Sequence, residues 1–202
     1  SGANITIPAG QTKAVYSNGG GSGAVMVDAF ATLNVVDLLV DDDLTVTGDV
    51  AVTGDYSSTT SGTSNLRLGV NAGNSITSGG NYNVTVGDEA GTAITTGDYN
   101  TAVGFQAGDA INTSSYNTAV GAKSATAIAA GQRNSAFGYG ALQTDTVGAR
   151  AVALGFNALG TQNFTTATDN YNIGIGYDAG GAITTGTQNT IIGGLVGDAL
   201  TT

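Results

Sequence analysis

The chain has 202 residues, with 33 Gly, 15 acidic and 5 basic residues, and it contains no His, Cys or Trp. The missing His and Cys exclude catalytic triads with an imidazole base, thiolate nucleophiles, disulfides and zinc ribbons. A net charge of −10 with 5 cationic side chains disfavours binding to nucleic acid and to anionic membranes.

Residues 1–40 are predicted to form a small β region. The stretch 4–16 (NITIPAGQTKAVY) predicts a strand, a Pro-Ala-Gly turn and a second strand. A Gly/Ser/Asn-rich loop follows at 17–23. The longest apolar run, 29–40, is interrupted by Asn34 and Asp37 and is too short to span a bilayer, so we expect no membrane insertion.

Residues 41–62 are predicted to form a short shaft and a linker. Two tandem hexads, LTVTGD at 44–49 and VAVTGD at 50–55, alternate apolar and polar residues and end in Gly-Asp. One such narrow strand cannot close a core by itself, whereas three chains wound around an axis can. The Ser-, Thr- and Gly-rich stretch from Tyr56 onward predicts a linker.

Residues 63–202 form an array of internal repeats with the motif Asn-x-x-x-Gly-x-x-small. The motif starts at Asn65, Asn83, Asn100, Asn117, Asn134, Ala151, Asn172 and Asn189. Its glycines are Gly69, Gly87, Gly104, Gly121, Gly138, Gly155, Gly176 and Gly193, with successive spacings of 18, 17, 17, 17, 17, 21 and 17 residues. Eight glycines in register indicate a repeat architecture.

Three further columns of the repeat carry aliphatic or small side chains. Counting from the motif Asn as position zero, position +3 is always apolar, as in Val103 and Val120. Position +7 is small or Val, and position +11 is Ile or Leu except in the repeats that start at Asn134 and Ala151. We therefore expect about three inward side chains per repeat, buried by stacking on the neighbouring repeats.

The period of about 17 residues predicts a parallel β-solenoid, or β-roll, of about eight coils. Period-two alternation and the Val, Ile and Thr content favour strands, and the period leaves no room for a helix. Each coil is expected to contain two short strands joined by two turns. The motif Gly is expected at a corner that needs a positive φ or a close backbone approach, and the motif Asn is expected to hydrogen-bond between coils.

Two departures from regularity point to surface features. The residue before the motif Asn is a flat or long side chain, such as Tyr99 or Arg133, which predicts a stacked edge. The four extra residues of the 21-residue spacing fall in 161–170 and predict a loop bulging from the rod. Phe164, Thr165 and Asp169 in this loop are the candidate surface-contact residues; an insertion without a binding role is the alternative.

The residues of the array resemble a known repeat. NTAVGFQAG followed by ITTGDYNTAVG is similar to the head repeats of trimeric autotransporter adhesins, and more similar to the variant of that repeat in bacteriophage tail fibres. ITIPAGQTKAVYSNG and LTVTGDVAVTGD resemble stretches in tail fibres of marine and cyanobacterial phages. The resemblance implies a homotrimeric, left-handed β-roll in a fibrous virion component.

Other motifs have simpler structural explanations. The Gly-x-Gly-x-x-Ala match at 174–179 is in register with the repeat and lacks a βαβ unit, so we expect no nucleotide cofactor. The acidic run 41–43 lacks the spacing of a calcium loop, and Asp88 with Glu89 occupies an ordinary repeat position. We therefore expect no catalytic residues and no metal.

The sequence predicts a non-enzymatic structural protein of a phage virion tail that supports host-cell attachment. Its expected partners are two further copies of itself, other tail components and a host surface receptor. The alternative is the head of a bacterial trimeric surface adhesin that binds host or matrix partners. An ice-binding rod is a third alternative, although position +1 lacks a regular Thr column.

Overall fold

The computed structural model describes the backbone of residues 15–17 and 26–28 and the whole of residues 61–200. The chain divides into two units, Ser1–Val52 and Thr53–Thr202. In the first unit, strand β1 (Val15–Ser17) pairs antiparallel with β2 (Met26–Asp28). This confirms a strand at the end of the 4–16 stretch. The other N-terminal predictions, including the hexad shaft, lie outside the described residues.

The second unit is a parallel β-solenoid of about seven turns. Eight three-residue strands form one sheet in the order in which they occur along the chain. They are β3 (Leu66–Leu68), β4 (Val84–Val86), β5 (Thr101–Val103), β6 (Thr118–Val120), β7 (Ser135–Phe137), β9 (Val152–Leu154), β11 (Ile173–Ile175) and β12 (Thr190–Ile192). Every pairing is parallel and keeps the register of the sequence repeat. The all-β solenoid with its period of about 17 residues is therefore confirmed.

The prediction of a second strand in each coil is wrong. Beyond the eight-stranded sheet, the only strands in 61–200 are β8 (Gly148–Ala149) and β10 (Thr168–Asp169), which pair in parallel. The rest of each coil consists of turns that bond directly to the next coil, for example Gly91 N to Ala107 O and Thr95 N to Asn112 O. Positive φ angles interrupt this side and prevent extended strands. The described residues include no helix long and apolar enough to cross a membrane.

The motif glycines occupy the corners, as predicted. Their φ angles lie between 121° and 138°, a region that side chains other than Gly rarely adopt. Stacking adds a second requirement, because a Cβ on Gly121 would lie 2.7 Å from the carbonyl carbon of Gly138 in the next coil. Both reasons for the glycine column, the positive φ and the close approach, therefore apply together.

Each coil also has left-handed residues that the sequence analysis did not predict. Positions −1, +6 and +8 have φ near 50–65° in most coils, and many of these residues are not glycine. Tyr99, Gln106 and Gly108 are the three examples in one coil. No β-branched residue occupies any of these positions, which agrees with the high steric cost of that backbone region for branched side chains.

One of the three columns expected in the core is different. The expected inward direction of position +3 is wrong: Leu68, Phe137 and Leu154 are 57%, 39% and 46% exposed. Position +2 points inward instead, and in the coils between the first and the last it holds small residues such as the fully buried Ala102 and Ala119; the first coil has the half-buried Arg67 and the last has Ile191. Positions +7 and +11 are buried as predicted except in the last coil, where Val196 and Leu200 are exposed. Since strand side chains alternate, an inward +2 requires outward +1 and +3.

The isoleucine column changes its chemistry in two adjacent coils. Position +11 holds buried Ile94, Ile111, Ile128 and Ile183 but is occupied by Asp145 and Gln162 in the coils that start at Asn134 and Ala151. In the same two coils, position +8 changes from Gly or Ala to the buried Leu142 and Leu159. A Cβ on Gly108 would lie 2.7 Å from Ile111 Cδ1, so the two positions compete for one volume. The leucines fill the space that the isoleucines vacate.

Candidate functional site

A ladder of buried amides connects successive coils along the inside of the rod. In the regular coils the motif Asn is fully or almost fully buried. Asn83 Oδ1, for example, accepts a hydrogen bond from Asn100 N over 2.9 Å, and its Nδ2 donates to Gly97 O over 2.8 Å. The predicted coil-to-coil role of the Asn is confirmed, and its location is the interior. Each amide satisfies buried backbone groups of two coils.

The ladder is repaired where Ala151 replaces the motif Asn. Without an amide at this position, the backbone N–H of Asn172 has no partner in the preceding coil. Asn170 Oδ1 accepts this hydrogen bond over 2.9 Å. Strand pairing aligns Asp169 with Ala149 and Ile173 with Val152. Ile173 follows Asp169 by four positions, whereas Val152 follows Ala149 by three, so one of the four inserted residues lies between Asp169 and Ile173. This extra residue turns Asn170 into the interior.

A chain of buried polar side chains fills the two coils that lack the isoleucine. Asn172 Nδ2 donates to Gln162 Oε1 over 2.7 Å, and Gln162 Nε2 donates to Asp145 Oδ2 over 2.6 Å. Asp145 Oδ1 also accepts hydrogen bonds from the backbone of Gly148 and Phe164. Among the buried side-chain atoms of 61–200, only Asn170 Nδ2 lacks a partner. The network is therefore nearly self-contained and lies away from solvent.

The outward face of the eight-stranded sheet, which we call the strand face, is apolar at position +3 in every coil, whereas position +1 is Thr or Ser in four of the eight coils. It consists of the side chains at positions +1 and +3, which are exposed or half-buried. The +3 column runs Leu68, Val86, Val103, Val120, Phe137, Leu154, Ile175 and Ile192. No charged residue interrupts either column. An apolar column of this length on the surface of a single chain is typical of an interaction surface.

Three aromatic rings stack one residue after the corner glycine in the C-terminal half of the array. Tyr139, Phe156 and Tyr177 occupy position +5 of successive coils, with ring centroids 5.2 and 5.3 Å apart and nearly parallel planes. All three rings are 44–58% exposed. The stack therefore forms an exposed aromatic surface over three coils.

The predicted stacked edge is confirmed at position −1. Tyr82, Tyr99 and Tyr116 stack with ring centroids 4.8 and 5.1 Å apart. The Arg133 guanidinium continues the column over Tyr116, and Arg150 lies over Tyr171. Desolvation in the stack raises the pKa of the Tyr99 phenol, and the neighbouring Tyr82, Tyr116 and Asp98 raise it further. Stacked rings and cation–π contacts stabilise the edge.

The candidate contact residues of the insertion separate in the structure. The expectation of an exposed Phe164 is wrong, because its ring is only 4% exposed and its backbone N–H donates to Asp145. Thr165 and Asp169 are exposed, and Asp169 forms an ion pair with Arg150. The insertion bulges only at 165–167, since Gln162, Phe164 and Asn170 are buried. A contact role for Thr165 and Asp169 stays a prediction.

The strand face and the polar network were both missed by sequence reasoning. The +3 column of the strand face was assigned to the core because it is apolar. The network had a detectable signal: the two repeats that lose Ile at +11 are the two that gain Leu at +8. In the described part of the chain, no group of three or more acidic side chains could hold a metal ion. No protein-family model, no curated protein and no solved structure matches this chain.

Proposed function

We propose that this chain is a non-enzymatic structural segment of a phage tail fibre, a homotrimeric rod that supports attachment of the virion to the host cell. The observation that carries the proposal is the +3 column of the strand face, which is apolar from the first coil to the last. Parallel sheets in proteins are normally covered on both faces. In a single chain, Leu68 and Ile192 on this face are 57% and 66% exposed. A partner that covers the face removes this unfavourable exposure.

Further copies of the same chain fit this face best. A partner that contacts eight layers continuously needs the same axial repeat, about 4.8 Å per strand. A second copy aligned in parallel has that repeat by construction, so each coil meets an equivalent coil. Closed cyclic symmetry then buries the face in every copy. The number three comes from the resemblance of the repeats and from the hexads, which need companions to enclose a core.

The mechanism of such a rod is mechanical. Backbone hydrogen bonds and the buried Asn ladder connect every coil to the next, so that the array resists bending and local opening. A stiff spacer of this kind holds a receptor-binding tip away from the virion. Other tail components would hold one end, and a host surface receptor would be the target of the assembled fibre.

Sedimentation velocity of variants tests the trimer. Val103→Glu with Val120→Glu places two charges on the strand face of neighbouring coils. Thr96→Glu with Thr113→Glu is the matched control, since these exposed residues are also 17 positions apart on a turn. We expect a trimer for the wild-type chain and the control, and a folded monomer for the strand-face variant. A stable wild-type monomer would overturn the trimer.

Electron microscopy tests the place of the rod in the virion. Gold-labelled antibodies against residues 63–202 are expected to decorate the tails of purified phage particles. Labelling of the bacterial surface in phage-free cultures would instead support the adhesin head. This experiment is independent of the sedimentation result, because a trimer is expected in both cases.

A further inference from the structure

The stacked edge changes from tyrosines to arginines next to a surface groove. The groove has a volume of about 340 Å³ and is lined by Gln132, Arg133, Val147, Ala149, Thr168 and Asp169, among others. It lies beside the β8–β10 pair, where the insertion places Thr168 and Asp169 next to Gly148 and Ala149. A volume at the lower end of ligand sites suits a single sugar unit.

The two arginines at this edge differ in their electrostatic environment. Arg150 forms an ion pair with Asp169. Arg133 lies over the Tyr116 ring at 5.5 Å, and its hydrogen bond to Gln132 Oε1 is long, at 3.4 Å. No carboxylate among the described residues lies within ion-pair distance of Arg133. Its guanidinium is therefore held by an aromatic ring while most of its donors stay free.

The lining of the groove indicates the chemistry of its ligand. A guanidinium matches a carboxylate with two parallel hydrogen bonds. The net charge of −10 repels polyanions, and one unpaired arginine neutralises one negative charge. The Thr168 hydroxyl and the Gln132 amide can bond to neutral hydroxyl groups, while Val147 and Ala149 offer an apolar surface to the C–H face of a ring. The one carboxylate in the lining, Asp169, is neutralised by its ion pair with Arg150.

We propose that this groove binds a sugar unit that carries one carboxylate, with Arg133 as the carboxylate-binding residue. The inference goes beyond the proposed function and does not depend on it, because it concerns a surface of the chain itself. It adds a weak glycan-binding site to the side of the rod. A site for one sugar unit is expected to have a Kd of about millimolar, and repetition over the copies of an assembly raises the avidity.

NMR titration of the full 202-residue chain with D-glucuronate tests the proposal, with D-glucose as the neutral probe. We expect glucuronate, but not glucose, to shift the backbone resonances of Ala149 and Thr168 in a saturable way. Arg133→Gln keeps a flexible polar side chain and is expected to weaken binding at least about tenfold, as loss of a charge-assisted pair does. Lys123→Gln, which removes a cation elsewhere, is expected to leave binding unchanged.

Several outcomes would overturn this site. They are the absence of saturation at tens of millimolar glucuronate, equal shifts with glucose, unchanged binding in Arg133→Gln, or equal losses in Arg133→Gln and Lys123→Gln. Far-ultraviolet circular dichroism establishes that both variants are folded. None of these results bears on the trimer or on the virion, which are tested separately by sedimentation and microscopy.

Discussion

Gln162 donates a hydrogen bond from its Nε2 to Oδ2 of Asp145 over 2.6 Å, and both side chains are fully buried in a column that is otherwise isoleucine. Two polar residues at the same position of adjacent coils satisfy each other across the coil spacing. Loss of either side chain leaves part of the other one unpaired inside an aliphatic column, although Asp145 keeps its backbone donors and Gln162 keeps Asn172. The pair forms one structural unit with Asn172 above it.

We expect Gln162→Leu to lower the free energy of unfolding by about 2–4 kcal/mol, since it removes a donor to Asp145 and the acceptor of Asn172 Nδ2. Chemical denaturation measures the change. The half-buried Gln143 is the matched control, and Gln143→Leu is expected to change stability by less than about 0.5 kcal/mol. Similar losses in the two variants would contradict the importance of the network.

Substitution of a corner glycine tests the stacking geometry. Gly121→Val places a branched side chain at φ 121° and 2.7 Å from Gly138, so we expect a loss of at least about 3 kcal/mol or failure to fold. Gly194→Val is the control, because a Cβ there meets no atom closer than 3.8 Å. Thermal unfolding followed by circular dichroism compares the two. An unchanged melting temperature for Gly121→Val would refute the corner assignment.

The amide ladder predicts that loss of an Asn destabilises the fold by similar amounts at a regular position, Asn100, and at the irregular position, Asn170. Asn100→Ala leaves Asn117 N and Ser114 O without their partner, and Asn170→Ala leaves Asn172 N unpaired. We expect each to destabilise the fold by about 1–3 kcal/mol in denaturant titrations. Asn74→Ala, at an exposed turn, is expected to have little effect. If Asn170→Ala were as mild as this control, Asn170 would not replace the amide missing at Ala151.

Asp109 predicts a specific pH dependence. Burial raises the pKa of this half-buried carboxyl, and the nearby Glu89 raises it further, against a smaller opposing effect of the Ala110 backbone hydrogen bond. The folded state therefore binds a proton at Asp109 more tightly than the unfolded state does. As the pH falls from above the raised folded-state pKa to the ordinary pKa of an Asp carboxyl, protonation of this group increases the stability of the fold. At neutral pH it costs stability.

Asp109→Asn is accordingly expected to be more stable than the wild-type chain at pH 7 and to lose this advantage on acidification toward pH about 4. Denaturant unfolding of both proteins over this pH range gives the difference between their free energies of unfolding. The other carboxylates contribute equally to both proteins, so their contributions cancel in this difference. High salt should reduce the effect by screening Glu89. A difference that does not vary with pH would show that Asp109 titrates alike in both states.

The repeat and its corners were predictable because they follow from local steric rules. A backbone with φ above 120° accepts little except glycine. The regular spacing of glycines such as Gly104 and Gly121 in the sequence therefore indicates where the corners lie. The inward face was not predictable by the same reasoning. In a three-residue strand such as Thr101–Val103, the large apolar Val103 points outward and the small Ala102 points inward. A rule that places the largest apolar side chains in the core therefore assigns the wrong face of the strand to the interior.

The buried insertion was unpredictable for a different reason. Phe164 bonds to Asp145 of the preceding coil, and Asn170 bonds to Asn172, which follows it at the start of the next motif. Nothing within 161–170 encodes those partners, since they depend on how the 21-residue spacing is divided along the coil. The exposed position of Thr165 was predictable, because polar residues at a loop tip need no partner.

The amide ladder also has a consequence for how such a rod can change its length in evolution. Between Asn83 and Asn134, every coil offers an Asn oxygen on one side and a backbone N–H on the other, in the same register. Duplication or deletion of one 17-residue unit in this stretch restores every hydrogen bond of the amide ladder without further substitutions. A cut between Asp145 and Asn172 divides the polar network and needs compensation. Gene-level variation in rod length should therefore accumulate in the N-terminal half of the array, leaving the later coils as a fixed block.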